Sequence, residues 1–178
     1  ALRGLARFSG EPAAPRSLLM KCAAKIGSDV PFLLTGGTAI VEGRGERMEP
    51  VSWPFDFTYA LIYPGFGIST AWAYSRVGEY SGDDGLYRQA MERLKEGSLT
   101  KEMFLEAISN DFEKAVFPER PILIQIKENM CECGAISAFL TGSGSTMAGI
   151  FEEPETAHRC AEEFRARGFE AHVAKKTP

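Results

Sequence analysis

Apolar residues recur at helical spacing near the start of the chain and form short, uninterrupted runs further along. Between residues 16 and 26 the apolar side chains fall on one stripe, at Leu18, Leu19, Cys22, Ala23 and Ile26. This spacing predicts a helix, and Pro15 before it and Gly27 after it suit a helix entry and exit. A loop through Ser28–Pro31 is predicted next. A strand over Thr38–Glu42 and a turn at Gly43–Gly45 then predict a hairpin.

From residue 57 onward the pattern predicts strands and helices in the order strand, helices, strand, strand, helix, strand. The predicted helices, after a first one capped by Ser69, cover 84–96, 100–116, 121–132 and 155–167. The predicted strands cover 57–63, 136–140, 146–151 and 169–174. This order is the split βαβ pattern of a ferredoxin-like α+β sandwich with extra helices in the first crossover.

A break at Ser52-Trp53-Pro54 separates these two regions and predicts a domain boundary, with residues 1–52 on one side and 53–178 on the other. Residues 1–52 are too short to bury a core of their own. The sequence therefore predicts that they are the end of a domain whose beginning lies outside this chain.

Composition places the chain among globular proteins and argues against two classes of partner. Its 178 residues are 44% hydrophobic and 25% charged, with a net charge of −4. Neither this charge nor any Lys/Arg run favours nucleic-acid binding. No apolar stretch reaches the roughly 20 residues of a membrane span. Four cysteines without paired metal-ligand spacing predict free or structural thiols and a reducing, cytoplasmic setting.

Asp29 is the first candidate for chemistry. It stands in Gly27-Ser28-Asp29-Val30-Pro31, a tight loop bounded by glycine and proline. Local sequence favours a structural role, in which the carboxylate caps the following turn. The functional alternative is a carboxylate held near a substrate hydroxyl, as the base for attack on a nucleotide γ-phosphate.

A second candidate is the loop Gly142-Ser143-Gly144-Ser145, which lies between two predicted strands. Its glycines fit two interpretations equally well. One is a hairpin or bulge, and the other is a phosphate-facing loop in which backbone N–H groups approach an anion. Thr70 and Tyr74 follow at the start of a predicted helix, about one turn apart on the same face. Tyr74 is either a core residue or a platform on which a nucleobase stacks.

Three segments in this order resemble the GHMP small-molecule kinases, named for galactokinase, homoserine, mevalonate and phosphomevalonate kinases. The segments are Gly27–Leu33 followed by Gly36-Gly37-Thr38 and Glu42-Gly43-Arg44-Gly45-Glu46, then Ile68-Ser69-Thr70-Ala71, then Leu140–Thr146. The third carries Ser145 where many members have proline. The resemblance covers essentially the whole chain. It implies a two-domain fold, with the end of the N-terminal, ATP-binding domain in 1–52 and the ferredoxin-like C-terminal domain in 53–178.

The resemblance also implies an activity: transfer of the γ-phosphoryl of ATP, with Mg²⁺, to the 2-hydroxyl of a cytidine diphosphate derivative of methylerythritol, in isoprenoid biosynthesis. Asp29 then corresponds to the catalytic aspartate, and Gly142, Ser143, Gly144 and Ser145 support the phosphate site. Thr70 and Tyr74 correspond to the substrate side, with Tyr74 as a platform for cytosine. No residue of the chain is assigned to a metal.

The family's ATP-binding glycine- and serine-rich loop and its lysine would lie upstream of residue 1. We therefore expect these 178 residues to be inactive alone, and a separate N-terminal fragment is one possible partner. The alternatives are a homoserine- or mevalonate-type kinase, and a non-catalytic GHMP-like binding module. The Gly-Arg-Gly-Glu segment favours the cytidine-bearing substrate over the homoserine- or mevalonate-type alternative, and a lysine and a glycine-rich loop upstream would argue against the non-catalytic module.

Overall fold

A computed structural model describes residues 15–43, 45, 47–77 and 85–175 of this chain. These residues fall into two compact units. The first comprises residues up to Trp53 together with 94–97, and the second comprises 54–93 and 98–175. The assignment of residues 1–52 to an ATP-binding domain stays a prediction. Arg44 and Glu46, which belong to the family-like segment, lie outside the described residues, as does residue 84 of a predicted helix.

The described part of the first unit contains two helices and a hairpin. Helices α1 (Arg16–Ile26) and α2 (Val30–Thr35) pack against each other. Strands β1 (Ala39–Glu42) and β2 (Arg47–Pro50) pair antiparallel, so the predicted hairpin is confirmed, as is the predicted helix over 16–26.

The loop predicted through Ser28–Pro31 is shorter than expected, and that prediction was wrong in part. The chain is already helical from Val30, with Pro31 in the first turn of α2. Proline has no backbone N–H, but an N–H in the first helical turn would have no partner within the helix, so nothing is lost there. The fixed φ of proline also suits the start of a helix. Asp29 is therefore the N-cap residue of a helix instead of the middle of a loop.

The second unit is built on a four-stranded antiparallel sheet. Its strands are β3 (Thr58–Tyr63), β4 (Ser137–Leu140), β5 (Met147–Phe151) and β6 (Glu170–Lys175), and they lie in the order β4-β5-β3-β6. Its helices are α3 (Thr70–Val77), α4 (Gly85–Glu96), α5 (Lys101–Ala107), α6 (Phe112–Val116), α7 (Ile122–Glu132) and α8 (Pro154–Ala166). The strand order confirms the predicted ferredoxin-like topology.

Helices α7 and α8 pack against this sheet and close the core of the second unit. Alternate residues of β3, Ala60 and Ile62, are fully buried, which is the period-two pattern of a strand with one face on a core. The largest buried side chains that meet them come from the two helices and from β5: Leu123, Ile126, Met130, Phe151 and Phe164.

The single helix predicted over 100–116 is two helices in the structure, so this prediction was wrong. Helix α5 ends at Ala107, Ile108 is extended, and α6 begins at Phe112. The side chain of Asn110 accepts a hydrogen bond from the backbone N–H of Phe112 at 3.0 Å. Short polar side chains compete with helical hydrogen bonds in this way and favour turns and caps. The break places Asn110 beside the glycine loop.

Candidate functional site

The loop between β4 and β5 contains the predicted phosphate residues and is closed at its neck. The backbone N–H of Thr141 donates to the carbonyl oxygen of Thr146 at 2.9 Å, and the Thr141 hydroxyl donates to the same oxygen at 3.1 Å. The N–H of Gly144 donates to the carbonyl of Thr141 at 2.9 Å. These bonds make a compact turn that projects residues 142–145 beyond the sheet.

Two predicted site residues that lie 73 positions apart meet at this loop. The hydroxyl oxygens of Thr70 and Ser143 are 2.9 Å apart and form a hydrogen bond. Thr70 begins α3, and the preceding Ser69 accepts a hydrogen bond from the N–H of Trp72 at 3.3 Å, as its predicted capping role requires. The structure thus joins the start of α3 to the glycine loop through two hydroxyl groups.

Gly144 and Ser145 lie on the buried side of the loop. Ser145 is 2% exposed, and its hydroxyl donates to the backbone carbonyl of Phe66. Gly144 has a φ of +91°, and a Cβ at this position would lie 2.9 Å from a methyl group of Ile68. Only glycine adopts this backbone conformation without strain. Ser145 therefore supports the loop from below, while Gly142 and Ser143 form its outer part.

Tyr74 is 67% exposed, one turn along α3 from Thr70. Its ring meets the ring of Phe112 edge to face, with 4.9 Å between the ring centroids. The core role considered from the sequence is therefore wrong, because the contact restrains the ring and leaves most of the side chain in solvent. An exposed, oriented aromatic ring can stack on a planar ligand group.

Asp29 belongs to the first unit and is exposed. It occupies the N-cap position of α2, but among the described residues its carboxylate accepts no hydrogen bond from the first turn of that helix. The capping role that local sequence favoured is therefore wrong, and the carboxylate is accessible for other chemistry.

Gly45, from the hairpin turn, is buried against the residue that precedes Asp29. Its φ is +90°, and a Cβ on Gly45 would overlap the backbone carbonyl of Ser28. Only a residue without a side chain permits this approach. Two segments of the family-like pattern, one with Asp29 and one with Gly45, therefore touch within the first unit.

Two functional candidates, Asn110 and Glu113, were not predicted from the sequence. The Asn110 amide donates to the carbonyls of Leu140 and Gly142 at 2.7 and 2.8 Å, and Glu113 accepts from the N–H of Leu140 at 2.8 Å. The sequence signal that could have located this turn was Asn110-Asp111, because such a pair is uncommon inside a helix and typical of a turn.

The described residues contain no cluster of side chains that forms a metal-binding site. Within them there is no group of three or more His, Cys, Asp or Glu side chains placed to hold a metal. All four cysteines are free thiols. Burial, and to a smaller extent the neighbouring Cys133, raises the pKa of the Cys160 thiol to about 12. In the part of the chain that the structure covers, no helix has the length and apolar character needed to cross a membrane.

Known proteins with similar sequences identify the class of protein to which this fold and loop belong. Residues 88–170 match the family model described as GHMP kinases C terminal, so this part of the chain belongs to the GHMP kinase family. Within this family, the chain is 33% identical over 149 residues to the 4-diphosphocytidyl-2-C-methyl-D-erythritol kinase of Syntrophotalea carbinolica, a match to 84% of this chain and 51% of the relative. It is 36% identical over 156 residues to the protein of the same name from Chlorobium phaeobacteroides, covering 85% and 53%.

The crystal structure of a 4-(cytidine 5'-diphospho)-2C-methyl-D-erythritol kinase superposes on this chain with a TM-score of 0.76 at 28% identity. The superposition covers 98% of this chain and 62% of that structure. The chain therefore spans about half the length of the curated relatives it matches.

Proposed function

We propose that this chain is the C-terminal portion of an ATP-dependent kinase that phosphorylates the 2-hydroxyl of 4-diphosphocytidyl-2-C-methyl-D-erythritol, a step toward isoprenoid precursors. The observation that carries this proposal is the 33–36% identity to kinases of that name over about 85% of the chain. The activity is assigned to the longer polypeptide. The match covers only 51% and 53% of the length of these relatives, and the family resemblance assigns the ATP loop and a lysine to the part beyond this chain.

In this proposal Asp29 acts on the acceptor alcohol. Its carboxylate takes the proton of the 2-hydroxyl as that oxygen attacks the γ-phosphorus of ATP, and ADP leaves with the bridging oxygen. The support is that the carboxylate is exposed and is not used to cap α2. Phosphoryl transfer asks mainly for positioning and for stabilisation of charge, so one carboxylate is sufficient on the acceptor side.

The loop of Gly142, Ser143, Gly144 and Ser145 is proposed to support the phosphate groups. Its outer residues present backbone to the solvent, and anions bind where consecutive N–H groups are accessible. ATP is the proposed donor. Mg²⁺ is expected to arrive bound to the phosphates of ATP, since this ion commonly binds to proteins together with substrate phosphates.

Thr70 and Tyr74 are proposed to face the cytidine-bearing substrate, with Tyr74 stacking on the cytosine ring. The exposure of Tyr74 and its edge contact with Phe112 support this role. The free cysteines support a reducing, cytoplasmic location.

The test is an acceptor panel with the purified longer polypeptide. ADP release should require 4-diphosphocytidyl-2-C-methyl-D-erythritol and should not occur with homoserine or mevalonate. Release with one of the other two alcohols would assign the protein to a different kinase of this family. No release with any of the three, from a folded protein that binds ATP, would favour a non-catalytic binding module.

A further inference from the structure

One side chain outside the glycine loop, that of Asn110, contacts the loop backbone directly. Asn110 Nδ2 donates to the carbonyl oxygen of Leu140 at 2.7 Å and to that of Gly142 at 2.8 Å. Both amide hydrogens are therefore committed to the loop and to the strand that leads into it. The Thr70 hydroxyl also contacts the loop, at the side chain of Ser143, whereas Asn110 holds the backbone carbonyl of Gly142.

The amide of Asn110 is itself fixed in orientation. Its Oδ1 accepts from the backbone N–H of Phe112 at 3.0 Å. An amide oxygen can only accept and an amide nitrogen can only donate, so this contact requires Nδ2 to face the two carbonyls. A turn between two helices thus presents a rigid two-hydrogen donor to the loop.

Packing does not replace these hydrogen bonds, because a cavity of about 430 Å³ lies on this side of the loop. Phe104, Phe139 and Asn110 are among the residues that line it, together with residues 140–142 of the loop. A Cβ added to Gly142 would meet no atom of the described residues within 4 Å. Where side chains do not pack against a loop, its position depends on hydrogen bonds, which makes the Asn110 amide the support of the Gly142 carbonyl on this side.

Glu113 completes the support at the end of β4. One carboxylate oxygen accepts from the N–H of Leu140 at 2.8 Å, and the other pairs with the Lys127 ammonium at 2.7 Å. The Glu113 side chain is only 18% exposed. The backbone of Leu140 is thus held at its N–H by Glu113 and at its carbonyl by Asn110.

The direction of the next peptide follows from this contact. The Gly142–Ser143 peptide bond is trans, and in a planar trans peptide the C=O and N–H point in opposite directions. Because the Gly142 carbonyl points toward Asn110, the N–H of Ser143 points away from Asn110 and from the cavity. A backbone donor is thereby aimed outward at the tip of the loop.

We propose that Asn110 is a positioning residue for phosphoryl transfer, which fixes the Gly142–Ser143 peptide so that the Ser143 N–H faces a phosphate oxygen of the donor nucleotide. This inference rests on the proposed function and adds a residue to that site. Asn110 acts through the loop backbone and contacts no substrate itself.

The test compares Asn110→Asp with the same change at Asn129, on helix α7, in the longer polypeptide. The carboxylate of Asn110→Asp has the same shape but cannot donate, and it repels the two carbonyls. Two lost hydrogen bonds predict a rise of about tenfold to a hundredfold in KM for ATP. The KM for the acceptor alcohol should change less than about twofold, since the loss is confined to the phosphate loop. Asn129→Asp should leave both values unchanged.

An unchanged KM for ATP in folded Asn110→Asp protein would overturn the proposal. An equal rise in both KM values together with a lower unfolding temperature would also overturn it, because a purely structural role predicts that result. If the parent polypeptide has no kinase activity, the proposed function fails, and the positioning role is then judged by hydrogen exchange in the 178-residue chain. Asn110→Asp should speed exchange of the amides of residues 142–144 and leave those of β5 unchanged; equal exchange in the loop would contradict it.

Discussion

Tyr74 shows how a single side chain acquires a role from its surroundings. Helical spacing puts it one turn from Thr70, and its edge contact with Phe112 holds the ring while 67% of the residue stays exposed. A restrained and exposed ring loses little conformational freedom when a base stacks on it, which makes it an efficient platform.

We predict that Tyr74→Ala raises KM for the cytidine-bearing acceptor about tenfold or more, since stacking of a base on an aromatic ring is worth about 1–3 kcal/mol. The KM for ATP should stay near its original value. Tyr74→Phe is the matched control, because it keeps the ring and should keep the acceptor KM. Steady-state kinetics of the longer polypeptide provide the measurement, and equal KM values for the alanine and phenylalanine variants would exclude stacking.

The cysteines offer a second test at this scale. Cys160 is fully buried, and burial raises its pKa to about 12, whereas Cys22 is exposed. Because the thiolate is the reactive form, Cys160 should stay unalkylated by iodoacetamide at pH 8 while Cys22 is modified. The protection should be lost as the pH rises toward 12. Peptide mass mapping shows which of the two cysteines is alkylated first. Early labelling of Cys160 in folded protein would contradict the described packing of α8.

At the scale of elements, the hairpin turn and the start of α2 depend on each other through Gly45. The turn reaches the Ser28 carbonyl only because Gly45 lacks a side chain. Ser28 directly precedes Asp29, so any displacement at this contact is passed to the proposed catalytic carboxylate.

We therefore predict that Gly45→Ala destabilises the chain by more than Gly36→Ala. Both glycines have positive φ, +90° and +73°, which costs an alanine about 1–2 kcal/mol. Only Gly45→Ala adds an overlap with backbone, since a Cβ on Gly36 meets nothing within 4 Å among the described residues. Urea unfolding measures the free-energy difference, and equal losses in the two variants would show that the contact with Ser28 is absent.

Local sequence pattern was sufficient for most elements but not for the details of the site. The helix over 16–26, the hairpin and the ferredoxin-like strand order are confirmed, because each follows from periodic apolar positions and flanking glycine or proline. The break at Asn110 was missed, because the apolar positions on both sides keep a helical period. The contact of Thr70 with Ser143 could not be predicted from pattern, since it joins residues 73 positions apart.

At the scale of the whole molecule, the proposed machinery is divided between this chain and residues beyond it. The chain matches about half the length of its relatives and carries the proposed base and the supporting loop. The family resemblance assigns the cationic groups that offset the charge of the ATP phosphates to residues beyond this chain, and phosphoryl transfer depends on such groups.

We accordingly predict that the 178-residue chain alone releases no ADP above the rate of a protein-free reaction, and that the longer polypeptide does. The comparison is made at equal concentration, with folding of the short chain verified by its thermal unfolding transition. Turnover by the short chain would show that its own residues suffice and would remove the need for the upstream lysine and ATP loop.

The central claim is that Asp29 serves the transfer of the γ-phosphoryl group to the 2-hydroxyl of 4-diphosphocytidyl-2-C-methyl-D-erythritol. The most direct measurement is kcat of the longer polypeptide carrying Asp29→Asn, with Asp56→Asn as the control at an exposed position outside the site. Loss of a general base predicts a fall of about 10²–10⁴-fold in kcat, with an unchanged unfolding temperature because the Asp29 side chain makes no cap hydrogen bond within the described structure. A kcat for Asp29→Asn equal to that of the Asp56→Asn control would contradict the account.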